Sequence, residues 1–259
     1  MEAKLIFILV GTSIMLSVGG TMTDISTYGQ QQQPKTNATA QQNEIFTTST
    51  NKTTGWLTSF NLEKCNIASK GENSYFILMP GHQLILRGQE DNKTIEMSVT
   101  VLNDTKIIDG TELGIVEEKS AENGEIVEIS KNYFGICTET DDVFYFGEDT
   151  DWYEGGHVVN HEGTWQAGVG DAKPGMIMPG RFEVGLKYYQ ELAPGLDEGR
   201  AEIVNINDTL VTPAGTFKQV LRTEETTPLE PGEKEYKLYA PGVGLIQDNT
   251  LKLVRYSSH

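Results

Sequence analysis

Apolar and polar residues alternate along much of the chain after residue 75, the period of strands that turn one face to a core. The pattern is plainest over 94–103, where Ile95, Met97, Val99 and Val101 share one face and Glu96, Ser98 and Thr100 the other. Before it, the apolar run YFILM at 75–79 stops at the turn pair Pro80-Gly81, and 82–89 continues extended. Asp109-Gly110 and Asn123-Gly124 are strong hairpin dipeptides, because both central residues of a type I′ turn need positive φ. They bracket a strand at 111–120 and lead into another at 125–137. Further strands are predicted at 186–191, 200–206, 217–226, 233–240 and 245–256, with Pro- and Gly-rich turns at 213–215, 228–232 and 241–244 between them. No stretch after residue 20 shows a 3.6-residue apolar period, so helices should be few and short. Eight or more consecutive antiparallel strands do not stay flat. The predicted fold is therefore all-β, a strongly curved antiparallel meander sheet or a partly closed barrel.

The first 75 residues follow other rules. Lys4 leads into LIFILVGTSIMLSVGG (5–20), an apolar run of roughly 24 Å as a helix, short of the ~30 Å hydrocarbon core. It ends in the small residues Ser17, Val18 and Gly19, which favours a removed signal peptide (1–20) over an uncleaved N-terminal anchor. No cysteine precedes Cys65, which excludes a bacterial-type lipid anchor directly after this run. Residues 21–56 are rich in Gln, Thr and Asn and nearly free of aliphatics, so they bury too little surface to offset their ordering entropy and read as a disordered stalk. Residues 57–259 form a single β-rich domain in this reading.

The charge balance is 20 Lys+Arg against 37 Asp+Glu, a net charge of −17. That excess repels nucleic-acid phosphates and anionic membranes, which leaves the N-terminal segment as the one candidate membrane tether. Export fits five N-x-[ST] sequons, at Asn37, Asn51, Asn92, Asn103 and Asn207. Cys65 and Cys137 are either a disulfide of an oxidising compartment or two free thiols; spacing does not decide.

Candidate chemistry gathers in 143–185, which holds Trp152 and Trp165, His157 and His161, and many carboxylates. Glu148, Asp149, Asp151 and Glu154 are candidate ligands for calcium, which wants about six to eight oxygens. The EF-hand pattern fails, since Tyr153 and Glu154 stand where a ligand and the turn glycine belong, so an irregular site competes with a solvated acidic loop. His157 and His161 would meet on a helix, but HVVNH follows two glycines and reads as a strand, where four residues span roughly 13 Å. Trp152, Tyr153, His161, Trp165, Met176 and Met178 form a candidate ligand surface, suited to stacking on a sugar or to lining a mouth for a lipid or small apolar molecule. The competing reading makes both tryptophans core plugs. A G-x-S-x-G elbow, a phosphate loop and a basic patch are absent.

The region from about 75 to 256 resembles a family of exported bacterial and archaeal proteins of uncharacterised function. Five blocks in one order carry the resemblance: FYFGED (144–149), HEGTWQAGVGDAKPGMIMPG (161–180), TPAGTF (212–217), TPLEPG (227–232) and APGVGL (240–245). The resemblance implies a secreted or envelope-attached β-rich domain, with no reaction and no catalytic residues to carry over. The expected function is a non-enzymatic binding or structural module, outside the cytoplasm, that works through the loops of 143–185. The alternative is an extracellular hydrolase using paired carboxylates of the same loops.

Overall fold

The computed structural model describes residues 55–257. Along the chain come a short 3-10 turn (Leu62–Lys64) and strands β1 (Ile67–Ala68), β2 (Gly71–Asn73), β3 (Phe76–Leu78), β4 (Gln83–Glu90), β5 (Lys93–Ile108), β6 (Thr111–Glu122), β7 (Glu125–Cys137) and β8 (Val143–Glu154). Three short strands follow: β9 (His157–Asn160), β10 (Trp165–Gln166) and β11 (Gly175–Met178). The rest are β12 (Lys187–Tyr189), β13 (Arg200–Thr212), β14 (Gly215–Thr226), β15 (Glu235–Ala240), β16 (Gly244–Asp248) and β17 (Leu251–Ser257). The protein is nearly all β, as the alternation predicts.

Two meanders build one large sheet. Strands β4 to β8 pair in sequence, and so do β12 to β17; β17 pairs with β4 and joins the two. The hairpins turn where the dipeptides require. Asp109 and Gly110, and Asn123 and Gly124, all have positive φ, as type I′ geometry demands. A further turn at Asp91 and Asn92, also at positive φ, joins β4 to β5. The expected single strand at 245–256 is two, because Asn249 takes a positive φ and reverses the chain between β16 and β17.

The stretch 143–160, placed from sequence among the loops of 143–185 except for the strand at HVVNH, is regular structure throughout most of its length. β8 is a long edge strand against which β9, β10 and β11 each pair over a different part of its length. Gly147 makes this possible. Its φ is 135°, and a Cβ there would stand 2.4 Å from the Trp165 carbonyl oxygen, so β10 can cross close only over glycine. At the far edge, β11 packs on β12, and Lys173 bridges to Leu192. A Cβ on Gly175 would lie 2.0 Å from the Gln190 carbonyl oxygen. The two ends of the sheet therefore come together around β11, and the sheet is strongly curved.

The curl encloses the core. Leu84, Leu86, Ile95, Met97, Val101, Leu251 and Leu253 fill the side nearest the β4–β17 seam. Leu57 adds a parallel bridge to Tyr188 on β12, and Trp56, assigned by sequence to the end of the stalk, carries the Arg200 guanidinium 4.6 Å from its ring centre. Cys65 and Cys137 are joined as a disulfide, Cα–Cα 5.1 Å, which ties the segment before β1 to the end of β7. No helix of the described residues is long and apolar enough to cross a membrane. The expected signal segment and most of the stalk, with Asn37 and Asn51, lie outside the described residues.

Candidate functional site

Alternation along a strand sends neighbouring side chains to opposite faces. In the apolar strands this hides Ile95, Met97 and Val101. In β6, β7 and β8 it hides something else: Glu118 and Ser120, then Glu128, Ser130 and Asn132, then Glu148 and Thr150, all under 7 % exposed. Across the interior β14 to β16 add Thr223, Glu225, Lys237 and Asp248, and the segment after β12 adds Gln190, Glu191 and Asp197. The buried ionisable carboxyl groups of the described residues number seven, against a single lysine.

Lys237 is the electrostatic centre. Its ammonium lies 2.9 Å from a Glu225 oxygen, and Glu225 also accepts from the Thr223 hydroxyl at 3.0 Å and the Gln190 amide at 3.1 Å. Burial by itself would lower the Lys237 pKa, but Glu225 and Asp248 beside it hold it well above the ordinary value. One ammonium cannot neutralise so many acids, and the remainder respond by keeping their protons. Burial pushes Glu118, Glu148 and Asp197 well above the usual carboxyl range, with neighbouring carboxyls pushing the same way. Glu128 rises to about 7 through burial, and Asp248 to about 7 through burial partly offset by Lys237. Glu191 is raised by burial, tempered by its contact with Asp197 and by the Gly199 N–H that donates to it at 3.2 Å. Tyr145, fully buried, donates to Asn132 at 2.7 Å, and Asn132 donates onward to Ser130 at 3.0 Å.

Beside this polar region the interior opens into a cavity of about 580 Å³, counting the open space at its mouth. Phe76, Leu84, Val99, Val101, Phe134 and Leu245 make its wall chiefly apolar. The polar groups that reach it differ in one respect. His82 Nε2 is engaged with the Val243 carbonyl at 2.9 Å, and the Tyr75 hydroxyl donates to the Gln219 carbonyl at 2.8 Å. Glu118, which also lines the cavity, keeps its Oε1 buried and without a hydrogen-bond partner. An apolar cavity with few polar groups suits a small ligand with an apolar body and a polar end.

The candidate residues of 143–185 fall on different surfaces. Glu148 points into the interior at 2 % exposure, whereas Asp149 lies on the opposite face, where it accepts from the Tyr133 hydroxyl and lies 3.6 Å from Lys106. Asp151 shares that outer face and pairs with His161 Nδ1 at 2.7 Å, and Glu154 sits exposed beside the Gly155-Gly156 turn. Strand geometry thus splits the four proposed calcium ligands between two faces, which removes the premise of a loop gathering them round one ion. Among the described residues, three metal-ligating atoms come within 4.8 Å of one another at Cys65, Cys137 and Glu139, where the sulfurs are bonded to each other. His157 opens β9 and His161 follows its last residue.

Trp152 and Trp165 are 5 % and 3 % exposed, the core-plug alternative rather than a stacking surface. Trp152 donates to the Glu162 carbonyl at 2.9 Å, and Trp165 packs edge-on to Tyr145 at 5.2 Å. Tyr153 is half-buried on the outer face, and Met176 and Met178 are packed into the core. Of that expected apolar mouth, Ile177 between them is the residue that lines the cavity. Asn92, Asn103 and Asn207 are exposed.

Sequence reasoning missed Glu118, Glu128, Glu225, Lys237 and Asp248. A signal existed: in 128–132 the polar residues Glu128, Ser130 and Asn132 recur with the strand period, so one whole face is polar. The apolar residues Val127 and Ile129 on the alternate positions invited the opposite assignment.

No family model matches the chain and no curated protein matches it, so the resemblance to exported β-rich proteins rests on its five blocks alone. Among solved structures, a putative lipoprotein from Parabacteroides distasonis is similar at 14 % identity, with a TM-score of 0.35 over 72 % of this chain and 100 % of that one. A likeness at that level carries no argument about fold or function.

Proposed function

We propose that this is an exported binding module that holds a small, largely apolar ligand inside its curved sheet. The carrying observation is the cavity walled by Phe76, Leu84, Val99, Phe134 and Leu245, with Glu118 set into its lining. The mix of many apolar groups with few polar ones is typical of small-molecule sites. Export draws support from the apolar run at 5–20, from the Cys65–Cys137 disulfide and from the exposed sequons at Asn92, Asn103 and Asn207. The hydrolase alternative called on paired carboxylates of 143–185, where Glu148 turns inward while Asp149 and Asp151 face outward, so these neighbours do not face each other across a cleft.

The test is titration of the purified protein with prodan, an uncharged dye whose emission shifts in apolar surroundings. Saturable binding at one site per chain, lost in Val99→Trp while the circular dichroism spectrum is unchanged, is the expected result. Non-saturating emission, or full binding by Val99→Trp, overturns the reading.

A further inference from the structure

Resting on the cavity as a binding site, the next question is which polar end its ligand carries. The cavity meets the acidic region at Glu118, and the groups facing Glu118 define what it can accept. From β7 comes Glu128, from β8 Tyr145 and Glu148, from β15 Lys237 and from β16 Asp248. His82, Tyr75 and Tyr239 line the cavity itself.

A ligand carboxylate would enter a region that already holds seven buried acids, and the one ammonium there is committed to Glu225 at 2.9 Å. A neutral alcohol would use Glu118 as a hydrogen-bond partner but form no charge pair with it. A protonated amine does both. It supplies donors to the unpartnered Glu118 Oε1 and pairs its charge with the carboxylate there.

We propose that the cavity takes an amphiphilic amine, with its alkyl or aryl body against the apolar wall and its ammonium against the Glu118 carboxyl. Before binding, burial keeps the Glu118 proton in place. When the ammonium arrives, the carboxyl O–H bond breaks heterolytically and its proton leaves to solvent, so the interior gains one positive charge and loses one. Binding is therefore coupled to release of one proton, and it strengthens as pH rises until Glu118 ionises in the free protein.

Decylamine, decanol and decanoate, kept below their micelle concentrations, separate the possibilities by displacement of prodan. The expected order is decylamine at least tenfold tighter than decanol, with decanoate weakest. Calorimetry between pH 5 and pH 7 in two buffers of different ionisation enthalpy should read protons released with decylamine and none with decanol. Glu118→Gln should cost decylamine about tenfold and abolish the proton release, while decanol affinity stays within twofold; the decanol result also shows that the variant is folded. Decanol binding as tightly as decylamine, or decylamine binding without proton release, overturns the amine assignment and leaves the cavity reading standing. Decanoate binding tightest overturns it in favour of pairing with Lys237. If prodan binds no site, both readings fall together.

Discussion

Glu148 and Asp149 are bonded neighbours on β8, yet they live in different solvents. Asp149 faces water and reaches a tyrosine hydroxyl and a lysine; Glu148 faces the interior, where its Oε1 has no partner. The same division runs across the sheet. Its outer face carries screened pairs such as Asp151–His161 and Arg87–Glu96, and its inner face carries acids balanced by one ammonium. A single residue type thus does two physical jobs, solubilising the domain on one side and tuning an enclosed, weakly screened space on the other.

The sharpest way to break that contrast is to remove the buried cation. Lys237→Met leaves Glu225 without its ammonium in a place where water does not reach, and should cost about 3–5 kcal/mol in urea unfolding. Replacing Glu225 by Leu in the same chain should recover most of the loss; no recovery would mean that Lys237 balances the whole acid set rather than one partner.

The next effect is in the pH dependence. In the folded state Glu128 keeps its proton up to about 7, while the unfolded chain releases it near the ordinary value of 4.5. Between those limits the folded state binds more protons, so its contribution is complete below about 4.5 and is lost as pH rises through 7. Unfolding free energy should therefore fall from pH 5 to pH 8, and Glu128→Gln should flatten the fall by about 2–3 kcal/mol. A profile that rises over this range would contradict the buried acids as described.

The smallest effect belongs to the outer face. Asp151→Asn breaks the exposed pair with His161 and should change stability by less than about 0.5 kcal/mol, read by the same urea titration. A larger loss would mean that the outer carboxylates also carry structure.

The strand order was legible wherever turn chemistry is local. Asp109-Gly110 and Asn123-Gly124 declare positive φ in their composition, and 94–101 alternates without exception. The hairpin β8–β9 was obscured by density of acids and glycines, which imitate a loop although Gly155-Gly156 make only its turn. The candidate site stayed hidden for a different reason. Which face of β7 turns inward depends on pairing with β6 and β8, and the partners of Glu118 arrive from β15 and β16, more than a hundred residues along. No local window contains Glu118, Lys237 and Asp248 together.

The seam between β4 and β17 sets the order in which this domain can be completed. Leu86 lies opposite Leu253, so β4 is synthesised long before the strand that covers its free edge. Until then the first meander carries an open row of amide and carbonyl groups, ready to pair with any passing strand. Loop closure over so much chain is slow. The newborn protein is thus exposed to mispairing at the very edge that becomes the middle of the finished sheet.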